Sequence, residues 1–390
     1  MKLRERVSKA FGTVFYQGPH EYYDYTTIFI VLFLMCFGLI MVYSTTSYSD
    51  ALTYSDSLYS LKRQGVIALV AFFIMLVISK VDYHFILKCA PGLAVFVVAI
   101  CSIVLVAGFS SNGATRWISV AGNSFQPSEL AKPALILVLA RYLTVHYKSR
   151  KRTSIRNELW YALGAALITI IMAAPVITQN LSTGIIIIGI GFFMTYITSR
   201  YKYTFQVLII AAVVLIIYLW NSGILPELLK DYQVQRVEAW LDPEASTDDA
   251  AYQILQGLYA IGSGGLFGKG LGSSIQKLGF LPEAQNDMIF AIICEELGLF
   301  GGFLVIGLYA FLLFRMVALA NRAPDLSGSL IISGSMIHIG LQVVMNIAVV
   351  TNSMPNTGVT LPFISYGGSA LLCLFMEIGC VLSVTNQITD

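Results

Sequence analysis

The sequence predicts an all-α polytopic membrane protein with about ten transmembrane helices and a long extracytoplasmic loop between helices 7 and 8. Three observations predict it. Of the 390 residues, 57% are hydrophobic and only 12% are charged, whereas a soluble domain is about 25% charged. Apolar runs long enough to span recur from one end of the chain to the other. Lysine and arginine gather in alternate connections, as the positive-inside rule requires.

The apolar runs lie near residues 26–46, 64–80, 86–108, 128–146, 159–177, 181–199, 203–220, 287–317, 327–350 and 359–385. A span needs about 20 residues, and most runs fit, some with tilt or a shortened end. The run at 287–317 holds Gly298, Gly301 and Gly302, which predicts a kink inside it. No small-residue cleavage site follows the first run, so it is expected to be a true span and not a signal peptide. With residues 1–25 placed in the cytoplasm, 16 of the 24 Lys and Arg residues fall inside. Lys62, Arg63, Arg116, Lys230, Arg236, Lys269 and Lys277 fall outside, and Lys132 lies within a span. Both termini are therefore expected in the cytoplasm, with an even number of crossings. Residues 221–286 become the one long external loop. Such loops are functional or disordered. Tyr232, Trp240, Leu255, Tyr259 and Phe280 predict an ordered one, with short helices on the outer membrane surface. The whole chain, 1–390, is expected to form a single membrane domain.

Several function classes drop out. Net charge is +2, which gives no electrostatic footprint for nucleic acid. The six cysteines all sit in apolar runs without metal-ligand spacing, so they read as small packing residues. The four histidines are scattered, and a histidine metal site is not expected.

Chemistry is expected where charge meets lipid, because intramembrane carboxylates are costly and need a reason. Asp287 stands where the long loop enters the eighth helix, in Glu283-Ala284-Gln285-Asn286-Asp287-Met288. Partial desolvation there raises a carboxyl pKa toward that of a useful general base. The competing reading is a helix N-cap, and the two are compatible. On a continuous helix Glu295 would lie roughly 80° from Asp287 and Glu296 about 180° away. The three acids then cannot share one narrow face, and one glutamate is expected to pair with a buried cation or with backbone donors.

Three further stretches stand out. Arg116-Trp117 precedes Gln126-Pro127-Ser128-Glu129-Leu130-Ala131-Lys132. Glu129 and Lys132 are i and i+3 on the fourth helix, spaced for an ion pair. Arg116 and Lys132 are alternatively placed to bind an anion such as a pyrophosphate. The glycines at 262, 264, 265, 268, 270 and 272 do not match phosphate-loop spacing, because no Lys-Ser or Lys-Thr follows. Close backbone packing or anion binding by N–H groups is expected there instead. Finally, Pro355 to Ser369 carries two prolines and Gly367-Gly368, which predicts irregular backbone at membrane depth. A broken helix of that kind also suits a transporter.

Taken in order, these motifs resemble the SEDS family (shape, elongation, division and sporulation), the FtsW/RodA/SpoVE type. The resemblance covers nearly the whole chain. It rests on Arg116-Trp117, Phe125-Gln126-Pro127-Ser128-Glu129, Arg236 with Leu241-Asp242-Pro243, Tyr252-Gln253, Ala260 to Gly265, Leu281-Pro282-Glu283 with Asp287, Glu295-Glu296-Leu297-Gly298, and Leu361 to Ser369. It implies a ten-helix peptidoglycan glycosyltransferase of the bacterial plasma membrane that polymerises lipid II and releases undecaprenyl pyrophosphate. It places the catalytic carboxylate at Asp287. Arg116, Glu129, Lys132, Arg236, Glu283, Ser365, Gly367 and Gly368 become the expected substrate-binding positions. The implied partners are a class B penicillin-binding protein, an undecaprenyl-linked glycan, and other divisome or elongasome proteins. No cofactor is required outright; a divalent cation, Mg2+ or Mn2+, is the one candidate, beside the pyrophosphate. Thr357 to Pro362 leans toward the division or sporulation branch over elongation.

The chain departs from the family pattern in two places. Asn286-Asp287-Met288 replaces Thr-Asp-Phe and keeps the carboxylate. Gln179-Asn180-Leu181-Ser182-Thr183 replaces Pro-Asp-Leu-Gly-Thr, so a role for an acid there does not carry over. Two rival functions fit the composition: a flippase for lipid-linked precursors, and a non-catalytic scaffold of the division or elongation machinery.

Overall fold

The computed structural model describes residues 14–15, 23–107, 109–111, 114–120, 123–148, 155–223, 227, 231–244 and 249–388. Among them run twelve helices: α1 (Tyr25–Tyr54), α2 (Tyr59–Lys80), α3 (Tyr83–Ala107), α4 (Pro127–Lys148), α5 (Ile155–Ile177), α6 (Leu181–Thr198), α7 (Lys202–Asn221), α8 (Asp231–Leu241), α9 (Asp249–Gly264), α10 (Ile289–Arg322), α11 (Leu326–Val350) and α12 (Gly368–Thr385). Ten of these are 18 residues or longer, one for each predicted apolar run. In hydrocarbon a helix satisfies its backbone internally, so a long apolar run has little alternative. Among the described residues eight of the ten are long and apolar enough to cross a membrane. Of the other two, α4 carries Glu129, Lys132 and Arg141, while α7 holds the uncharged apolar run from Val207 to Ile217.

The hydrogen bonds sort the helix ends into two sets. At one end of the bundle Arg315 of α10 holds Asp24, beside the start of α1, at 2.8 Å. Tyr83, opening α3, donates to Asp325, before α11, at 3.0 Å. Gln387, after α12, donates to Asp82 at 3.0 Å. The start of α1 and the end of α12 therefore share one end, which requires an even number of crossings. At the other end Ser60 donates to Asp50, Gln126 to Ser369, and Ser182 to Thr357. That second end carries the long loop.

The centre of the bundle is formed by α11 and α12, whose apolar windows are 72% and 78% buried against 22% for α2 and α3. Residues 351–367 between them are irregular, as the prolines and glycines predict. The helical part of the predicted run at 359–385 accordingly starts only at Gly368. The core also encloses an unforeseen pair: His338 of α11 lies 2.8 Å from Glu377 of α12, with both side chains buried.

Between α3 and α4 the chain forms a small antiparallel sheet, β1 (Phe109–Ser111), β2 (Ala114–Val120) and β3 (Asn123–Phe125), in that order. An all-α reading passed over it, although Asn112-Gly113 is a hairpin signal. Its third strand meets the head of α12, where Ser369 donates to the Ser124 carbonyl at 3.3 Å.

The long loop is ordered where it is described. It supplies α8 and α9, then an irregular stretch from Gly265 to Met288. The apolar stripe of α9 buries Ala251, Ile254, Gly257 and Ala260, at the period of 3.6 that marks an amphipathic helix.

Candidate functional site

The head of α10 is where this loop is pinned, and its backbone is broken for that purpose. Gly298 has φ 70 and ψ −171 inside α10. A break leaves carbonyls and N–H groups without helical partners. The glycine loop supplies them: Lys269 N–H donates to Glu295 O at 3.0 Å, and Gly270 N–H to Glu296 O at 2.9 Å. In return Leu299 N–H donates to Gly265 O at 3.0 Å and Phe300 N–H to Leu266 O at 3.1 Å. A Cβ on Gly268 would stand 2.2 Å from Glu296 O, and one on Gly298 would stand 2.4 Å from Gly268 N. Both residues also have positive φ, so only glycine serves at either. This is the predicted kink, and it explains the glycine run as a backbone plug for a broken helix.

Both glutamates take part in that clamp, where one was expected to. Glu295 is fully buried and meets Lys269 at 2.7 Å, the Ser274 hydroxyl, and the N–H groups of Ile275 at 3.2 Å and Gln276 at 3.4 Å. Glu296 is also fully buried and meets Lys277 at 2.8 Å and the Ser44 hydroxyl of α1 at 2.7 Å. Each buried charge is thus paired and hydrogen-bonded, the condition under which such a charge is tolerated.

Asp287 differs. The cap position of α10 falls on Met288, whose side chain makes no cap bond, so Asp287 stands one residue outside the helix. The helical-wheel angles therefore do not apply to it, and it is not the N-cap. The side chain is buried at 7% exposure, and its Oδ1 has no hydrogen-bond partner. Burial, and next the nearby Glu283 carboxylate, push its pKa up to about 7, against a smaller downward pull from Arg236 and the N–H groups of residues 287 and 288.

The walls around Asp287 come from three distant segments. Asn346 of α11 donates to Asp287 O and to Val359 O, each at 2.7 Å, tying the carboxylate's backbone to the irregular segment. A Cβ on Gly358 would stand 3.8 Å from Asp287 Oδ2. Arg236 of α8 donates to Asn356 O at 3.3 Å, and Asn356 donates to Gln253 of α9 at 2.7 Å. Tyr366 N–H donates to Gln285 O at 2.9 Å. Glu283 is exposed and adopts φ 53, and its carboxylate takes a hydrogen bond from Asn286. A non-glycine residue in that region is uncommon and clusters at functional sites.

A second polar line runs deeper. Lys132 is 2% exposed and lies 2.8 Å from Glu129 and 3.4 Å from the Gln342 side-chain oxygen. Gln342 donates to Thr360 O at 3.0 Å. Gln342 and Asn346 are i and i+4 on α11, so one helix face connects the Glu129–Lys132 pair to the segment that borders Asp287.

Comparison with known proteins fixes the lineage. The family model described as "Cell cycle protein" (FTSW_RODA_SPOVE) matches residues 25–390. The chain is 38% identical to "Stage V sporulation protein E" of Bacillus subtilis, over 93% of this chain and 97% of that one. It is 34% identical to "Probable peptidoglycan glycosyltransferase FtsW" of Geobacter sp. strain M18, over 94% and 98%.

The chain belongs to the FtsW/RodA/SpoVE family.

Among solved structures it resembles the rod-shape-determining protein RodA of Thermus thermophilus with a TM-score of 0.66 at 27% identity, covering 94% of this chain and 98% of that chain. It also resembles a chain from a peptidoglycan synthase complex, studied for how polymerization and crosslinking are coordinated, with a TM-score of 0.76 at 27% identity. That match covers 93% of this chain and 97% of the other. This FtsW/RodA/SpoVE protein is therefore a helical, multi-pass membrane protein with a RodA-like fold.

The structure places the remaining expected positions as follows. Ser365 accepts from Leu361 N–H at 2.8 Å, and its carbonyl takes the Gln64 amide at 3.5 Å. Gly367 N–H donates to the same Gln64 at 3.4 Å. A Cβ on Gly368 would stand 2.6 Å from Ile67 Cδ1, so this glycine lets α12 close on α2. These three residues shape the irregular segment and its junction with α12. The side chain of Arg116 lies outside the described residues. Among the described residues no group of three or more His, Cys, Asp or Glu side chains is placed to hold a metal ion.

The departure at Asn180 also finds its reason. Asn180 is the N-cap of α6 and accepts from Thr183 N–H at 3.2 Å. Asn and Asp cap equally well, so the loss of the acid leaves this job intact. The sequence reading missed Gln342, Asn346, Asn356 and Gly358. The first two carried a signal: amides four apart on an apolar helix have to hydrogen-bond inside the bundle.

Proposed function

We propose that this protein is a peptidoglycan glycosyltransferase that polymerises lipid II, acting in division or sporulation. The supporting observation is Asp287: a buried carboxylate with one oxygen unpartnered and its pKa pushed up to about 7, at the loop-bearing end of the bundle. A general base works best when its pKa lies near the operating pH. The growing glycan on its lipid pyrophosphate is the donor, and lipid II is the acceptor. Asp287 takes the proton of the acceptor's GlcNAc 4-hydroxyl, and that oxygen bonds to the anomeric carbon of the donor MurNAc. The bond from that carbon to phosphate breaks on the opposite side, undecaprenyl pyrophosphate leaves, and the centre inverts.

Leaving-group charge needs a cation in a dry site. Arg236 fits, because it sits on the Asn356 carbonyl and acts electrostatically on Asp287. Arg116 joins it on the strength of the motif. Lys132 is enclosed by Glu129 and Gln342, so its role is positional: the pair holds Gln342, and Gln342 holds Thr360 beside the site. Ser365, Gly367 and Gly368 keep the opposite wall in place, and Glu283 tunes Asp287.

The reading carries a topology: a single domain over 1–390, in the bacterial plasma membrane, with both termini cytoplasmic and Asp287 at the outer face. It also carries a partner, a class B penicillin-binding protein that crosslinks the strand, in line with the synthase complex that the fold resembles. Polymerisation of lipid II by the purified protein and that partner tests it. Glycan strands from the wild type, and polymerisation slower by about 10²–10⁴-fold in Asp287→Asn, is the expected result. Equal rates would remove Asp287 as the base, and movement of lipid II between leaflets without strands would favour a flippase.

A further inference from the structure

Beside the Asp287 segment lies an open cleft of about 430 Å3 that the reaction above does not use. Its volume falls within the about 300–1,000 Å3 typical of small-molecule sites. One wall is the outer end of α1, which presents Thr45, Tyr48, Ser49 and Thr53. These are spaced i, i+3, i+4 and i+8, so they share one face of an otherwise apolar helix. The other wall is the stretch from Lys277 to Gln285, with Leu278 and Leu281 between. Gln285 lies two residues before Asp287, and its carbonyl is held by Tyr366 N–H at 2.9 Å. The clamp at Glu296 therefore sets one side of the cleft, and the site's own backbone sets the other.

The chemistry of the walls selects a ligand class. Lys277 is the one charged residue among those lining the cleft, and its ammonium is engaged by Glu296 at 2.8 Å and Ser44 at 2.9 Å. The lining thus offers no uncompensated charge, which disfavours a phosphate. An acyl chain would cover the Tyr48 and Thr53 hydroxyls without giving them partners, at a cost for each. Thr45 and Ser49 already donate to backbone carbonyls, at 3.0 Å in each case, and keep their lone pairs as acceptors. Gln285 adds an amide with both donor and acceptor capacity. Tyr48 is 49% exposed and offers a ring face. Acceptor hydroxyls, an amide, an aromatic face and small apolar patches together suit a neutral, hydroxyl-rich ring.

The geometry points to this cleft as a saccharide subsite that holds an aminosugar of the substrate or of the growing strand next to Asp287. The inference rests on the polymerase reading for which sugar it meets, and on the cleft alone for the fact of sugar binding. The experiment uses full-length protein in detergent and a lipid-free, uncharged probe, the β-1,4-linked N-acetylglucosamine tetramer. Saturation-transfer NMR and competition give its affinity for the wild type, Ser49→Trp, Tyr48→Ala and Asp287→Asn, and lipid II polymerisation is measured on the first three. Ser49 is exposed, so its replacement fills the cleft without displacing the core.

Expected is saturable binding to the wild type, about tenfold weaker with Ser49→Trp, weakened with Tyr48→Ala and retained with Asp287→Asn. The KM for lipid II rises in Ser49→Trp more than kcat falls. Absence of saturable binding to a polymerising wild type overturns the subsite, as does equal binding by a folded Ser49→Trp. Binding with this pattern in a protein that makes no glycan would keep the subsite and remove the polymerase reading.

Discussion

Glu296 and Asp287 are nine residues apart at the head of the same helix, and both are buried carboxylates. Glu296 has a lysine, a serine hydroxyl and a backbone N–H arranged around it. Asp287 has a bare Oδ1, a nearby like charge and a cation acting from a distance. The contrast separates two uses of a costly group. A paired acid spends its charge on holding a loop against a broken helix. Asp287 is held through its backbone by Asn346, and its bare Oδ1 is left to take a proton.

The sharpest way to break that comparison is to neutralise each acid in turn. Asp287→Asn keeps the shape and removes the base. Lipid II polymerisation should fall by about 10²–10⁴-fold, the usual contribution of a general base, with the unfolding temperature not lowered. Glu296→Gln should do the reverse. It strands Lys277, whose side chain is 6% exposed, and breaking one side of a buried pair costs about 3–5 kcal/mol. Thermal unfolding in detergent reads that loss, and an unchanged melting temperature would show that the clamp is not structural. Glu295→Gln should cost less, because Lys269 keeps 30% of its side chain in contact with solvent.

The pH dependence sharpens the same contrast. Activity should rise with pH through a single ionisation near the value of about 7 set by burial of Asp287. Arg236 holds that pKa down, so Arg236→Gln should move the rise to higher pH; Glu283 pushes it up, so Glu283→Gln should move it lower. The profile of kcat/KM checks both. Stability carries the opposite sign. The folded carboxyl binds its proton more tightly than the unfolded one, whose pKa is near 3.8. Stability from this group is therefore full at the acid end of the window and falls as pH rises toward about 7. Asp287→Asn should flatten that slope. The smallest effect is expected at the cap: Asn180→Ala should cost about 1 kcal/mol, while Asn180→Asp should leave unfolding nearly unchanged.

Much of this was legible in the chain. Ten apolar runs became ten long helices, because lipid leaves a long apolar segment one way to satisfy its backbone. The kink was legible in Gly298, and the irregular entry to α12 in Pro355, Pro362 and Gly367-Gly368. The ordered motifs gave the family. The small sheet was passed over, because its strands are three to seven residues long and weak beside the hydropathy of the flanking helices.

What the sequence determined alone were the local matters: where each helix runs, where the backbone must break, and which carboxylates lie near the membrane boundary. Those follow from period, length and composition, which act over a few turns of chain. Tertiary structure decided which carboxylate stays unpaired. Lys277 reaches Glu296 across 19 residues, Ser44 across 252, and Asn346 reaches the Asp287 backbone across 59. Pairing and desolvation depend on distances in space, and no local spacing in the sequence encodes them.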